Sequence, residues 1–502
     1  MSTLDSTPWW RHEYRTVLFY RYVFIEDPIR LKKDLELLTS SLKMIGRVLI
    51  SKEGLNGTLA APNAIMEEFV DKMKRDTRFA RIDWKFNDIV PNPTSLQPFP
   101  NLNIRCVDQI ISIGLPNVEI PTVFDETTFG GLASDITGKH LLPKEFHERL
   151  CKARTDEDKN VVIIDVRNNF ETKIGRFEGS VPIDTTTYAE SWKNLDRIIG
   201  LQTDAYKLPN GKARRLQARL ERRARRDIMN SNTQAESSNS SCGTIVPDVD
   251  KNASDQAISI ENKVVYMYCT GGIRCEKASS YLISRGVKNV FQLQGGVHRY
   301  LEEFGSDPES LFKGKNYVFD SSGSCCVDVD PTSEPCAPAA NDLRTSAASG
   351  LQDHSTKPIS QCLVCSIPYD TYNGYTTCCV CRTPVLICMT CAVNSRHPGQ
   401  FHCEKHAYLQ ECYFAALDIY TKEELLRQKE LLQQLYDSAI KQPRVKTTVL
   451  VRQMHRIDGQ LHKRAEGVNP VPQTQNPQVA FWVKARRDQV AETQTTSTVH
   501  AG

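Results

Sequence analysis

Nowhere in its 502 residues does the chain hold the roughly 18 consecutive apolar residues of a membrane-spanning helix, so none is expected. The opening segment, MSTLDSTPWWRHEYR, lacks the apolar core of a secretory leader, and secretion is not expected either. An excess of one charge is also missing. The 63 Lys and Arg against 60 Asp and Glu leave a net +3, which excludes a uniformly basic nucleic-acid coat but not a local basic patch. At 40% apolar and 25% charged, the composition is slightly poor for one compact globule and predicts ordered cores joined by disordered stretches. No internal repeat is present. At roughly 100 to 200 residues per domain, three or four domains are expected. With no leader expected, the 17 cysteines are assigned to a reducing, cytoplasmic setting, where thiols serve as ligands or nucleophiles more often than as disulfides. Nine of them lie between 362 and 412.

The N-terminal stretch alternates strand and helix patterns. TVLFYRYVF (16–24) is aromatic and β-branched and reads as a strand. Leu31, Leu35, Leu38 and Leu42 repeat at helical spacing over 29–43. GRVLISKEGLNGTLAAP, from Gly46 to Pro62, reads as two strands joined by a turn at Gly54 to Gly57. A helix over 63–75 and a strand over 82–86 complete a β-α-β-β-α-β order, that of a ferredoxin-like sandwich assigned to 1–110. Residues 91–100 hold four prolines and break regular structure, and a connector is assigned to 111–139.

Three continuous apolar runs follow: Val161 to Asp165, Val264 to Tyr268 and Asn289 to Leu293. Such runs suit buried parallel strands, and with helical patterns between them they indicate an α/β domain over 140–310. An insertion at about 203–260 interrupts it. Its run KARRLQARLERRARRD (212–227) carries eight Lys or Arg, and its remainder is rich in Ser, Asn and Asp. A linker is assigned to 311–360, a Cys-rich module to 361–412, a helical segment to 413–445 and a largely disordered polar tail to 446–502.

The second apolar run leads directly into Cys269-Thr270-Gly271-Gly272-Ile273-Arg274, which opens a helix. Backbone N–H groups at a helix start favour an anion, and glycines let the chain curl around it. Cys269 is therefore expected as a thiolate of lowered pKa, with Arg274 and Lys277 adding positive charge. Such a pocket suits a persulfide or another reactive sulfur species. Cys275 reads as a packed helix residue or a resolving thiol. Asp165 and Arg167, at the end of the first run, read as an ion-paired support of the pocket. Glu53 and Asn56 read as turn residues.

These residues resemble a rhodanese active site. Asp165-Val166-Arg167, Glu171 and the segment from Gly175 to Ser180 look like the rhodanese entry motif, and Gly295-Gly296-Val297 like its closing turn. The Cys-x4-Arg loop is shorter than the Cys-x5-Arg loop of the phosphatase branch and is similar to sulfurtransferase loops. CTGGIRCEKAS together with GRVLISKEGLNGTL resembles the bacterial tRNA uridine hydroxylase family and its eukaryotic rhodanese-domain relatives, over about residues 15 to 320. The resemblance implies an acylphosphatase-like domain before the rhodanese domain. It also implies oxygen-dependent hydroxylation at C5 of the tRNA wobble uridine, requiring Cys269.

Downstream, one spacing recurs four times: Cys362-x2-Cys365, Cys378-x2-Cys381, Cys388-x2-Cys391 and Cys403-x2-His406. Each knuckle aims two donors at one ion, so eight donors predict two closed, structural zinc sites. Alternating pairs give a crossed arrangement and sequential pairs two ribbons; the spacing allows both. Cys379, His402 and Cys412 are substitute ligands.

The basic run 212–227 reads as a solvated face, as a phosphate contact for RNA or as a nuclear-localisation patch. Three functions follow. The first is a rhodanese-type enzyme acting on tRNA, bound through the N-terminal domain and the basic run. The second is a sulfurtransferase that draws on a small-molecule sulfur donor. The third is an adaptor that recruits a protein partner through the zinc module. No membrane partner is expected.

Overall fold

The structure is a computed structural model that describes residues 14–89, 99–114, 124, 125, 127–155, 160–200, 263–317, 326, 327, 358–372, 376–395, 397, 399–409, 411–415, 417, 420–440 and 447–465. The insertion expected at about 203–260, with its basic run 212–227, lies outside them.

The first sheet is built from β1 (Tyr14–Tyr22), β2 (Ile45–Ser51), β3 (Gly54–Pro62), β4 (Lys85–Ile89) and β5 (Leu102–Cys106) in the order β4-β1-β3-β2-β5. The first four strands are antiparallel, and β5 adds parallel to β2. With α1 (Pro28–Ser41) and α2 (Asn63–Lys74), this is the ferredoxin-like, acylphosphatase-like domain expected from the sequence. Asp27 caps α1, its carboxylate accepting from the amides of Ile29 and Arg30 at 3.0 Å each. Val17, Phe19, Val48, Leu59, Phe69 and Trp84 fill the core between sheet and helices. One local reading is corrected. Ser51 pairs with Gly54, so the hairpin turns at Lys52 and Glu53, and Gly54 to Gly57 are strand. Gly54 answers a close approach instead: a Cβ there would stand 2.0 Å from the carbonyl oxygen of Arg21 on β1.

The second sheet is wholly parallel, in the order β6 (Lys139–Leu141), β11 (Asn289–Leu293), β10 (Val264–Tyr268), β7 (Val161–Asp165), β9 (Val181–Pro182). Packed around it are α3 (Pro143–Thr155), α4 (Asn169–Ile174), α5 (Ser191–Ile199), α6 (Ile273–Ser284) and α7 (Gly296–Phe304). Two apolar clusters cover its faces. Ile164, Val265, Met267, Ala278 and Leu282 belong to one; Phe146, Tyr266, Tyr268 and Tyr300 belong to the other. This is the rhodanese domain. It extends past the boundary expected at 310. Within the stretch assigned to a linker over 311–360, β12 (Phe312–Gly314) pairs antiparallel with β8 (Gly175–Phe177), and β13 (Asn316–Tyr317) pairs with β14 (Cys326–Val327). Phe312 is driven into the core against Phe177, their ring centroids 5.3 Å apart.

The polar tail expected from 446 is also corrected. After α8 (Met389–Val393) and α9 (Lys422–Ile440), residues Thr448–Ala465 form α10, which packs along α9. Leu450, Met454, Ile457 and Leu461 make a narrow apolar stripe that meets Leu425 and Leu432, and Lys429 pairs with Asp458 at 2.6 Å. Among the described residues, no helix is long and apolar enough to cross a membrane.

Candidate active site

Cys269 follows the C-terminal end of β10, the middle strand of the parallel sheet, where open α/β sheets place their ligands. The next three residues turn back to start α6. Gly272 takes φ +106°, a conformation closed to most side chains, and its N–H donates to Cys269 Sγ, 3.0 Å away. The carbonyls of Cys269 and Thr270 point the other way, accepting from the amides of Val297 (2.9 Å) and His298 (3.1 Å) at the start of α7. The sulfur is buried. Burial alone would hold its proton on, but the Cys275 thiol, the Arg274 guanidinium and the amides of Cys275 and Gly272 outweigh it, and the Cys269 pKa falls to about 5. Cys275 is driven the other way, its pKa raised by burial and then by the neighbouring Cys269 sulfur. One sulfur is therefore thiolate and the other is its hydrogen-bond donor.

Arg274 does not reach into open space. Its fork holds Glu171 on α4 through Nη1 to Oε2 (2.6 Å) and Nη2 to Oε1 (2.7 Å), and Nη2 also donates to Thr270 Oγ1 at 2.9 Å. The Thr270 hydroxyl in turn donates to Glu171 Oε1 (2.9 Å), and the Tyr188 hydroxyl holds the Arg274 carbonyl at 2.6 Å. Burial works against the Glu171 carboxylate, but Arg274 beside it keeps its pKa below the ordinary value. Asp165 and Arg167 form a second buried fork, with Nε to Oδ1 at 2.9 Å and Nη2 to Oδ2 at 2.7 Å. Tyr268, the residue before Cys269, donates to the same carboxylate at 2.7 Å. The two forks fix both ends of the nucleophile loop. Ile273 packs against the cluster of Tyr20, Tyr22, Ile110 and Leu132.

Sequence reasoning missed the other wall. The acylphosphatase-like domain covers the loop with Leu18, Tyr20 and Lys85. A Cβ on Gly271 would stand 2.8 Å from Leu18 Cδ2, and one on Gly272 would stand 2.8 Å from the Tyr20 hydroxyl. That hydroxyl donates to the buried Glu276 on α6 (3.3 Å), which also faces His140 Nε2 at 2.9 Å and Gln292 Nε2 at 3.3 Å. Lys277, expected to add charge at Cys269, instead pairs with Glu53 at 2.6 Å. Glu53 also accepts from the Ile110 amide (2.8 Å), and Asn56 donates to the Ile110 carbonyl (3.3 Å), so both residues do more than shape a turn. A lysine opening an edge strand and a tyrosine among strand aromatics carry no local motif, and only the packing of two domains brings them to the loop.

The Cys-rich module gathers two donor sets, Cys362, Cys365, Cys388 and Cys391, and Cys378, Cys381, Cys403 and His406. The ligand atoms of each set lie within 4.8 Å of one another. The pairing alternates along the chain, which is the crossed arrangement. Two knuckles share one turn: Ser366 (φ 58°) and Arg382 (φ 65°) follow the second cysteine, and their amides bond back to the carbonyls of Cys362 and Cys378 at 2.9 and 2.8 Å. Tetrahedral ligands at about 2.3 Å from an ion lie about 3.8 Å apart. Cys365 to Cys388 is 3.9 Å, Cys381 to Cys403 is 3.7 Å and Cys378 Sγ to His406 Nδ1 is 3.6 Å, so both sets fit a tetrahedral metal. Cys379, His402 and Cys412 stand outside both sets, with Cys379 Sγ 3.3 Å from His402 Nε2.

Comparison with known proteins agrees with this geometry. Residues 14–110 match the UPF0176 acylphosphatase like domain. Rhodanese-like domain-containing protein 6 of Arabidopsis thaliana is 30% identical over 405 residues, 78% of this chain; the chain spans about half (53%) of that relative's length. A tRNA uridine(34) hydroxylase of Pseudarthrobacter chlorophenolicus is 29% identical, covering 77% of this chain and 97% of its own. Another from Cytophaga hutchinsonii is 30% identical, covering 63% and 74%. The solved rhodanese-like domain protein from Staphylococcus aureus is 20% identical over 32% of this chain and 90% of its own, with a TM-score of 0.15, and the fold assignment rests on the strand order above instead. On the sequence match across both domains, the chain belongs to the tRNA uridine(34) hydroxylase family, together with its rhodanese-like relatives.

Proposed function

We propose that the chain hydroxylates the wobble uridine of tRNA at C5, in an oxygen-dependent reaction, with Cys269 as the reactive group. The observation that carries this reading is the match to tRNA uridine(34) hydroxylases over nearly the whole length of one of them. The role of Cys269 is supported by a thiol with a pKa of about 5, ionised at neutral pH. Thr270, Gly271, Gly272, Ile273 and Arg274 form the loop that steadies the negative charge on that sulfur, with Gly272 contributing its amide and Arg274 acting through space. Asp165 and Arg167 hold the loop's entry without touching substrate. The N-terminal domain and the basic run 212–227 supply the RNA contact. Zinc fills the two crossed sites and holds the Cys-rich module in shape; its ligands leave no position for substrate.

The short Cys-x4-Arg loop favours one other reading, a persulfide sulfurtransferase, because a loop of that size suits one added sulfur atom. Nucleoside mass spectrometry separates the two. In tRNA from cells lacking the protein, 5-hydroxyuridine derivatives are expected to disappear, and to return with the wild-type chain but not with Cys269→Ser. An unchanged nucleoside profile refutes the tRNA reading and turns attention to sulfur transfer from thiosulfate.

A further inference from the structure

Building on the reading of Cys269 as the reactive group, we propose that Lys85 of the N-terminal domain is a catalytic residue of the same pocket. Its ammonium faces negative charge that forms just beyond Cys269 Sγ, whether on an oxygen of a bound uracil or on a terminal sulfur. The site is then composite, with nucleophile and cation on different domains.

Lys85 is fully buried at the start of β4, a costly place for an ammonium unless it has work to do there. Asp83 is its ion-pair partner, shared with a second cation. Lys85 Nζ is 2.7 Å from Asp83 Oδ2, and Arg299 grips that carboxylate through Nη2 (2.6 Å) and Nε (3.2 Å). The lysine stem lies over the nucleophile loop, with Cδ 3.5 Å from where a Gly271 Cβ would stand. Nζ sits above the rings of Tyr20 (5.4 Å) and Phe129 (5.9 Å), a dry setting in which a cation acts strongly. Burial pulls its pKa below the ordinary lysine value; Asp83 and, more weakly, the Cys269 thiolate hold its proton on against that. The other cations near the loop each have a carboxylate to themselves: Arg274 has Glu171, Arg167 has Asp165 and Lys277 has Glu53. Lys85 shares Asp83 with Arg299, whose Nη1 is held in turn by Glu302 (2.8 and 2.6 Å), so it belongs to a network of two cations and two carboxylates at the edge of the loop.

The test uses the full chain and two alkylating probes of Cys269, read at the Cys269 peptide by mass spectrometry. Iodoacetamide is neutral and iodoacetate anionic. Both must enter the same covered pocket and meet the same thiolate, so the ratio of their rates cancels opening, ionisation and stability. Lys85→Met is expected to lower the iodoacetate-to-iodoacetamide ratio about tenfold, and Lys85→Arg to keep it near wild type. A ratio unchanged by Lys85→Met overturns the proposal. The tRNA readout is run alongside. Loss of 5-hydroxyuridine with Lys85→Met and its partial return with Lys85→Arg support a catalytic role, and full activity of Lys85→Met overturns it. If even the wild-type chain leaves tRNA unmodified, the tRNA reading fails by itself, and the probe ratio still decides whether Lys85 serves Cys269.

Discussion

Two cysteines six positions apart on one turn of chain are pushed in opposite directions by their surroundings. Cys269 receives two amides, a thiol and the field of a guanidinium; Cys275 receives burial and the negative sulfur beside it. The consequence is a pH dependence of known sign. Alkylation of Cys269 by iodoacetamide should stay nearly flat from pH 8 to 6 and fall through a midpoint near 5, where an ordinary thiol would fall near 9. The same shift is a stability statement. The folded pKa lies below the unfolded one, so the thiolate's contribution is complete above about pH 9. It declines as the pH drops and is gone below about 5. A Cys269→Ser chain, which lacks that contribution, should therefore differ most from wild type in thermal midpoint at high pH, the two converging towards pH 5. A midpoint of alkylation near 9 would show that the loop does not hold a thiolate.

At the scale of elements, the nucleophile loop is a short connection squeezed between two domains, and its glycines serve that squeeze. Gly271 has no unusual φ, so its cost of substitution is purely steric: a Cβ would meet Leu18 Cδ2 at 2.8 Å. Gly271→Ala should destabilise the chain by about 1–3 kcal/mol and reduce tRNA modification. Leu18→Ala in the same chain opens the space and should recover most of both losses, as read from thermal melting and nucleoside analysis. Failure of Leu18→Ala to rescue would mean that β1 does not lie on the loop. This contact also marks where the sequence stops being legible. Every strand of the parallel sheet that reads as an unbroken apolar run was visible, because burial on both faces leaves no other pattern for Val161–Asp165 or Val264–Tyr268. The Cys269 loop was visible because its chemistry is contiguous. Tyr20, Lys85 and Glu276 were not, because their neighbours in space are 256 residues apart in one case and are set by docking rather than by period. α10 was hidden for a different reason: its four apolar positions repeat at helical spacing, but the charged residues between them make the segment average out as polar.

Across the whole molecule, the Cys-rich module is tied to the rhodanese domain at the helix that holds Glu171. Lys173 on α4 pairs with Glu404 at 2.5 Å, the Ser360 hydroxyl donates to the Lys173 carbonyl at 2.6 Å, and Lys315 pairs with Asp370 at 3.3 Å. The Cys-rich module thus contacts α4, the helix whose Glu171 holds Arg274. The crossed ligand order makes the module a single folding unit, because the segment between the paired knuckles of one site carries half the ligands of the other. Small segments of this kind take much of their folding free energy from the ion itself. Loss of one site should then undo the second. Replacing Cys391 with Ser is expected to lower bound metal, measured by elemental mass spectrometry of the full chain, from about two ions per chain to fewer than one. Cys381→Ser, at the other site, should do the same. Two sequential ribbons would each keep their own ion, and either variant would then retain about one. A retained single ion would show that the sites fold independently and that α4 is braced by at most one of them.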